Sequence, residues 1–329
     1  MMKITDFIGF ISKNKYRNNQ KYDQYHQYQG FTLVELLVGS VIAVLTITLL
    51  LTFVTSIMNT EKQEQAKANT EDDIQTAINY IARDLQQAIY IYDADGIEAI
   101  KSKLPYPNNS NKTPILVFWK RDFVSSVMST ASGQDDSFVY SLVAYYIDDS
   151  SSDIWSKTAR ISRWEIKDGV ESSDGVACTG YTKKYVNNNC PDPGFAPFSD
   201  YFKVTDSLDM GMKKWKKASA NYTNDNDDIV LIDFVDQSTS SPPAAVCPPD
   251  VVDPDDNTKN ILEWSLVKPT SMTGFYACVD SINNAQAQVF IRGNALARVT
   301  NNSQTYTDSN KSYFPAINVR VKGTGFLNN

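Results

Sequence analysis

The chain has 329 residues, a formal net charge of −7 and an aromatic content of 12%. This content of apolar and aromatic residues is sufficient for a packed core, which excludes a wholly disordered chain. Residues 1–30 carry a net charge of +3, which leaves −10 for the rest of the chain. So acidic a remainder argues against tight, non-specific binding of nucleic acid.

Residues 1–30 are polar and basic, and we interpret them as a targeting leader that takes no part in the fold. The apolar run 31–58 follows, with Glu35 as its one ionisable side chain. About 20 apolar residues suffice for a helix to cross a bilayer, so the run is predicted to be a transmembrane helix. Its basic flank is expected to stay in the cytoplasm, with the acidic part of the chain outside. A carboxylate in such a helix is costly, which marks Glu35 as a functional candidate.

After this run the helical pattern continues to about Tyr92 but becomes amphipathic. Charged residues, Asp84 among them, fill the polar faces. The sequence Asp93-Ala94-Asp95-Gly96 is predicted to end the helix. Residues 59–92 are therefore predicted to form a stem helix whose apolar stripe is covered by a sheet. Apolar residues recur in this stripe at three- and four-residue steps: Ile74, Ala77, Ile78, Ile81, Leu85, Ala88 and Ile89.

Residues 93–329 are predicted to be a periplasmic, β-rich head. Long loops are expected at 168–228 and 236–260, and strands 138–147 and 159–166 are expected to pair as a hairpin. The predicted fold class is α+β, with a long N-terminal helix packed on an antiparallel sheet that carries long loops. β-branched and aromatic runs predict strands at residues 115–120, 138–147, 159–166, 229–235, 261–266, 274–279, 287–291 and 316–321.

The hexapeptide Gly30-Phe31-Thr32-Leu33-Val34-Glu35 resembles the processing site of type IV prepilins and pseudopilins. The resemblance implies that a prepilin peptidase cleaves between Gly30 and Phe31 and that the new N-terminal Phe31 is methylated. It also implies that Glu35 is needed for assembly, where it would neutralise the terminal ammonium of a neighbouring subunit in the apolar fibre core. The leader is longer than those of many pilins.

Further along, Glu64–Lys67, Ile81–Leu85 and Ala88–Asp93 resemble the PilW-like class of minor pilins. Together with residues 114–120, this stem is most similar to the pseudopilins of cyanobacterial hormogonium polysaccharide secretion. The resemblance implies a pilin-like fold and a structural subunit of a pilus-like fibre that serves polysaccharide secretion and gliding motility. Two alternatives stay open: a minor pilin of a competence pilus that binds DNA, and a type II secretion pseudopilin.

The same resemblance implies partners and a location. The partners are prepilin peptidase, other pilins that bind through the N-terminal helix, the pilus assembly platform and a polysaccharide, whereas nucleic acid is not expected. Before processing the protein would cross the inner membrane once, with a cytoplasmic N-terminus and a periplasmic head. It would then enter a fibre at the cell surface.

Four cysteines, Cys178, Cys190, Cys247 and Cys278, all lie in the part predicted to be exported, where disulfides are stable. Three pairings are possible. We favour Cys178–Cys190 and Cys247–Cys278 because each closes a local loop, with free buried thiols as the alternative.

The head is not expected to be an enzyme. The only histidine, His26, lies in the leader, so serine–histidine and cysteine–histidine catalysis have no base after cleavage. No cofactor is expected. Calcium is a weaker possibility at Asp93, Asp95, Asp225 and Asp227, which are otherwise solvated loop or turn residues.

One basic cluster interrupts the acidic head: Lys213-Lys214-Trp215-Lys216-Lys217. It is a possible ligand patch, in which the lysines hold phosphates or an acidic polysaccharide and Trp215 stacks on a base. The alternative is an exposed loop anchored by Trp215.

Overall fold

The computed structural model describes residues 30–130, 133–201, 203, 206–223, 228–300 and 302–324. The chain divides into two compact units, Met1–Ser56 and Ile57–Asn329, and each is described by itself. The described part of the first unit is helical from Leu33 onward, within helix α1 (Leu33–Gln86). The predicted leader lies almost wholly outside the described residues.

The second unit contains the rest of α1, three short helices and thirteen strands in the described residues. In chain order they are β1 (Ala88–Ile91), α2 (Ala94–Ile100), β2 (Lys112–Thr130), β3 (Gly133–Asp148), β4 (Ala159–Lys167), β5 (Glu171–Ala177), β6 (Lys184–Tyr185), α3 (Leu208–Lys213), β7 (Ile229–Val235), β8 (Val251–Val252), β9 (Asn260–Leu262), β10 (Trp264–Val267), β11 (Phe275–Asp280), β12 (Gln286–Arg292), α4 (Ala295–Thr300) and β13 (Ala316–Lys322). The predicted class, a long helix with antiparallel sheets, is confirmed.

Two antiparallel sheets form the framework of this unit. The larger has the order β1-β2-β3-β4-β7, and the smaller has the order β10-β11-β12-β13. The predicted hairpin of β3 and β4 is present, with Ala144 opposite Trp164. The first predicted strand, 115–120, is longer than expected, because β2 continues beyond Lys120 along the first half of β3 as far as Thr130.

The stem helix is shorter than predicted. It ends at Gln86 rather than Tyr92, and residues 88–91 form β1, which pairs with β2. All four β1 side chains are buried, and four of the five residues after Gln87 are β-branched or aromatic, which favours a strand. Asp93-Ala94-Asp95-Gly96 does not end the stem. Asp93 instead caps the start of α2, where its Oδ1 accepts a hydrogen bond from the Gly96 N–H (2.7 Å).

The amphipathic part of α1 packs into one continuous core with both sheets. The predicted stripe is buried, with Ile81 and Leu85 fully inaccessible. Gly293, just after β12, allows the closest approach, since a Cβ there would lie 2.3 Å from Thr70 Cγ2 on α1. Burial of an Ile or Leu side chain stabilises by about 1.5–3 kcal/mol, so this stripe holds the stem firmly in the head.

The two long loops carry small elements of their own. Residues 168–228 contain β5, β6 and α3, and residues 236–260 contain β8. Each is tied by a disulfide, Cys178–Cys190 in the first and Cys247–Cys278 from the second loop to β11. Both pairings are the ones that the sequence favours.

Candidate functional site

The N-terminal end of α1 begins with a side-chain cap that the sequence analysis missed. Thr32 precedes the helix, and its Oγ1 accepts a hydrogen bond from the Glu35 N–H (3.2 Å). The Thr32 carbonyl accepts from the Leu36 N–H (3.1 Å). Thr32-Leu33-Val34-Glu35 has the spacing of a capping box, so this signal was readable from the sequence. It places Glu35 in the first turn, where the positive end of the helix dipole favours a carboxylate.

The helix beyond this cap is apolar and uncovered. Its most apolar stretch has a mean hydropathy of 2.6 and is not buried at all, and α1 is long and apolar enough to cross a membrane. Phe31 and Leu33 are each 82% exposed. Soluble monomers rarely expose contiguous apolar surface on this scale, and such a helix is compatible with a membrane span or a signal anchor.

Hydroxyl groups in this stretch are satisfied within the helix itself. Each one described below donates to a carbonyl three or four residues earlier, which removes the cost of placing an unpaired hydroxyl in an apolar medium. The pairs are Ser40 to Leu37 (2.8 Å), Thr46 to Ile42 (3.0 Å), Thr48 to Val44 (2.8 Å), Thr52 to Leu49 (2.8 Å) and Thr55 to Thr52 (3.0 Å). Glu35 is then the only ionisable group of the apolar run, and it is exposed.

Gly30 and Phe31, the residues of the predicted cleavage site, lie immediately before the cap. Both are exposed, and a Cβ built on Gly30 meets no atom within 4 Å. The backbone at this bond is therefore open to an approaching enzyme. A side chain at position 30 would create no clash within the chain.

At the other end of α1, a charged network lies between the helix and the larger sheet. The Asp84 Oδ2 accepts from Arg163 Nε and from the Tyr145 hydroxyl, both at 2.7 Å, while Lys120 Nζ lies 3.3 Å from Oδ1. Lys120 also contacts Asp122 (2.9 Å) and Glu165 (3.0 Å). Strands β2, β3 and β4 each contribute, so one residue of the helix is tied to three strands.

Asp84 corrects the sequence analysis, which placed it on the polar face of the stem. It is 8% exposed. Burial opposes ionisation of its carboxyl, but the hydrogen bond and charge of Arg163, the charge of Lys120 and the hydrogen bond from Tyr145 hold its pKa below the usual range. A possible signal was its position three residues after Ile81 and next to Leu85, within the apolar stripe.

Of the four candidate calcium residues, the structure describes Asp93 and Asp95. Asp93 uses Oδ1 to cap α2, and Asp95 is an exposed residue of the first turn of that helix. Asp225 and Asp227 lie outside the described residues. Among the residues that the structure does describe, no group of three acidic, cysteine or histidine side chains could hold a metal ion.

The structure does not support the prediction that Trp215 of the basic cluster stacks on a base. Trp215 is 1% exposed, packs edge-on against Trp119 with ring centroids 5.8 Å apart, and donates its indole N–H to the Ala196 carbonyl (2.9 Å). Trp215 therefore cannot stack on a base. Its burial instead matches the alternative, in which Trp215 anchors an exposed loop. Its size and the single N–H explain why it is buried in the core.

The four lysines of this cluster have separate surroundings. Lys213 pairs with Asp209 (2.9 Å) and Lys214 with Asp206 (2.7 Å). Lys217 donates to the Ala220 carbonyl (2.9 Å) and lies 5.2 Å from the centre of the Tyr222 ring. Lys216 is exposed. Much of the positive charge that the sequence shows is therefore already compensated.

Comparisons with family models, with curated proteins and with solved structures gave no match for this chain.

Proposed function

We propose that this protein is a minor pseudopilin, a structural subunit that is cleaved after Gly30, held in the inner membrane by the apolar part of α1 and then assembled into a pilus-like fibre. The observation that supports the proposal most directly is the uncovered apolar helix with a single carboxylate, Glu35, in its first turn. Such a surface needs a lipid environment first and apolar neighbours afterwards.

The role of Glu35 follows from the charges at the processed end. Cleavage would create an ammonium at Phe31, four residues before the carboxylate. An unpaired charge inside an apolar bundle is expensive, and pairing the amine of one subunit with Glu35 of the next lowers that cost. This pairing would set the axial position of each new subunit relative to its neighbour.

The head fits a structural role in an exported protein. Its two disulfides are typical of oxidising compartments outside the cytoplasm. The stem stripe and the network around Asp84 fix α1 to the head, so force on the fibre core would be transmitted to the head without loss of register. These features support the proposed topology, with the leader in the cytoplasm and the head in the periplasm.

For the process that the fibre serves, we propose polysaccharide secretion, on the resemblance of the stem and residues 114–120. In the DNA-binding alternative, the lysines of residues 213–217 grip phosphates and Trp215 stacks on a base. Trp215 is buried, and Lys213 and Lys214 are already paired with Asp209 and Asp206, which disfavours this alternative.

The test compares two Glu→Gln variants of one helix. Glu35→Gln removes the carboxylate from the apolar run, and Glu61→Gln removes an exposed carboxylate from the stem of the same helix. Both proteins should be cleaved at Gly30, which immunoblotting of membranes shows as the shorter form. Only Glu35→Gln should be missing from fibres sheared from the cell surface.

Equal incorporation of both variants into fibres would refute the proposed pairing of Glu35 with the terminal ammonium of Phe31. A wild-type protein that keeps its leader in a strain with active prepilin peptidase would refute the proposed function as a whole.

A further inference from the structure

Two cavities meet at Lys103, in the second compact unit. One has a volume of about 430 Å³ and is lined by Lys103, Asp200, Tyr201, Lys203 and residues 213–216. The other has a volume of about 360 Å³ and is lined by Lys103, Tyr106, Lys217, Tyr222 and neighbouring loop residues. Lys103 lines both, so the two depressions adjoin at this residue, and together we call them the Lys103 groove. The fold brings Lys103 and Lys203 to the basic cluster from separate parts of the chain.

The lysines of the groove differ in what already binds them. Lys213 and Lys214 are held by Asp209 and Asp206. In contrast, the ammonium groups of Lys103, Lys203 and Lys216 form no ion pair among the residues that the structure describes, although the Lys203 backbone N–H donates to the Asp206 Oδ2 (3.1 Å). Asp200 is the acidic side chain that lines the groove with them. The groove therefore offers a few separated positive charges rather than a dense basic surface.

Two of the three tyrosines that line the groove have rings engaged within the protein. The Tyr106 ring lies 4.0 Å from Lys112 Nζ and edge-on to Tyr146. The Tyr222 ring contacts Trp164 and lies near Lys217, and its hydroxyl donates to the Lys103 carbonyl (2.6 Å). The third, Tyr201, is half-buried and packs against the core. Recognition in the groove is therefore expected to rest mainly on charge and hydrogen bonds.

We propose that the Lys103 groove binds an acidic polysaccharide, a chain of sugar rings that carries carboxylates or sulfates at intervals. Its length over two cavities suits a polymer better than a single ion. Its few separated cations suit carboxylates carried on hydroxyl-rich sugar rings, which hydrogen bonds can hold as well. Single-stranded nucleic acid binders add several exposed aromatic faces on which bases stack, whereas two of the three tyrosine rings of this groove are engaged within the protein.

This proposal rests on the proposed function for its biological context. It adds the chemical class of the cargo and the surface of the head that binds it. The groove lies far along the chain from Glu35, so loss of ligand binding and loss of fibre assembly are separable. A groove variant should still be cleaved and should still enter fibres.

The test uses the full-length protein in detergent micelles and measures binding of polygalacturonate at low salt by biolayer interferometry. Neutral dextran and a single-stranded DNA of mixed sequence are the comparison ligands. The test variant is Lys103→Gln with Lys216→Gln. The matched control is Lys157→Gln with Lys322→Gln, which removes two exposed lysines without a carboxylate within 4 Å among the described residues, outside the groove.

We expect the groove variant to bind polygalacturonate roughly three- to tenfold more weakly than wild type, because each exposed ion pair contributes modestly and is screened by salt. The control variant should bind as wild type does, and dextran should not bind. Tryptophan fluorescence of each variant establishes that the head is folded.

Three results would overturn the proposal. They are no binding of polygalacturonate by folded wild-type protein, equal weakening in the control variant, or tighter binding of the DNA than of polygalacturonate with the same dependence on Lys103 and Lys216. Retention of the leader by wild-type protein in a strain with active prepilin peptidase would refute the proposed function separately, whether or not the groove binds the polymer.

Discussion

Asp84→Asn is the substitution that best tests how the stem is fixed to the head. Asparagine keeps the shape of the side chain and removes its charge. In the wild-type protein the Asp84 carboxylate accepts hydrogen bonds from Arg163 and Tyr145 and pairs with Lys120. The substitution removes one carboxylate from the network, which leaves Asp122 and Glu165 as the carboxylate partners of Lys120 and Arg163.

The expected loss in the free energy of unfolding depends on the carboxylate partners that Lys120 and Arg163 keep after the substitution. Removal of one partner from a buried ion pair costs about 3–5 kcal/mol, because the other charge stays buried without compensation. Here Lys120 keeps Asp122 (2.9 Å) and Glu165 (3.0 Å), and Arg163 keeps Glu165 (2.9 Å). We therefore expect the lower end of the range, a loss of about 3 kcal/mol in the free energy of unfolding.

The assay is urea unfolding of the full-length protein in detergent, followed by tryptophan fluorescence. All five tryptophans belong to the second unit, so the signal reports the head. The matched control is Asp72→Asn, an exposed acid of the same helix, which should change the free energy of unfolding by less than about 0.5 kcal/mol.

Asp84→Asn should also change how the free energy of unfolding depends on pH. The pKa of Asp84 is held below its usual range in the folded protein. This group therefore stabilises the fold above its unfolded pKa of about 3.9, and the stabilisation is lost as the pH falls through the folded pKa. Asp84→Asn should lose less stability than wild type on acidification below about pH 4. A variant within 0.5 kcal/mol of wild type at pH 7, with an unchanged acid response, would refute this account of the network.

Three further predictions concern other parts of the chain. Gly30→Val should leave only the precursor, longer by its 30-residue leader, on an immunoblot. The substitution should not disturb the fold, since a Cβ at Gly30 meets no atom within 4 Å. A normal mature band would mean that the cleavage site is elsewhere. Ile81→Ala should lower the free energy of unfolding by about 2–5 kcal/mol in the urea assay, because the side chain is fully buried, and a loss below 1 kcal/mol would contradict the packing of the stem. Burial raises the pKa of Asp168 to about 6, so this group costs stability as the pH rises from about 4 to about 6. Asp168→Asn should therefore lose less stability than wild type between pH 4.5 and 7.5. Urea midpoints that change with pH in the same way in both proteins would argue against this account.

Elements with a strong local pattern were predictable from the sequence. The strand 229–235 has its predicted limits, β13 differs from its prediction by one residue at one end, and β11 and β12 differ by one residue at each end. The change of α1 from apolar to amphipathic was also readable, because burial on one face imposes a period of 3.6 residues on the sequence.

Other features depended on long-range contacts. The stem ends at Gln86 because residues 88–91 pair with β2, and a helix of the same residues would have continued the same period. Asp84 reads as a surface acid until Arg163, Tyr145 and Lys120 are placed around it. Trp215 reads as part of a basic surface until Trp119 and the Ala196 carbonyl bury it.

The sequence by itself determined the predicted cleavage motif at Gly30, the apolar run and the single carboxylate Glu35, because each is a property of neighbouring residues. The tertiary structure alone decided which charged side chains are buried at Asp84 and which lysines meet around Lys103. These residues are far apart in the chain, and no local period records that strands and loops bring them together. For that reason the apolar N-terminal helix and its motif were predictable from the sequence, while the groove on the head was not.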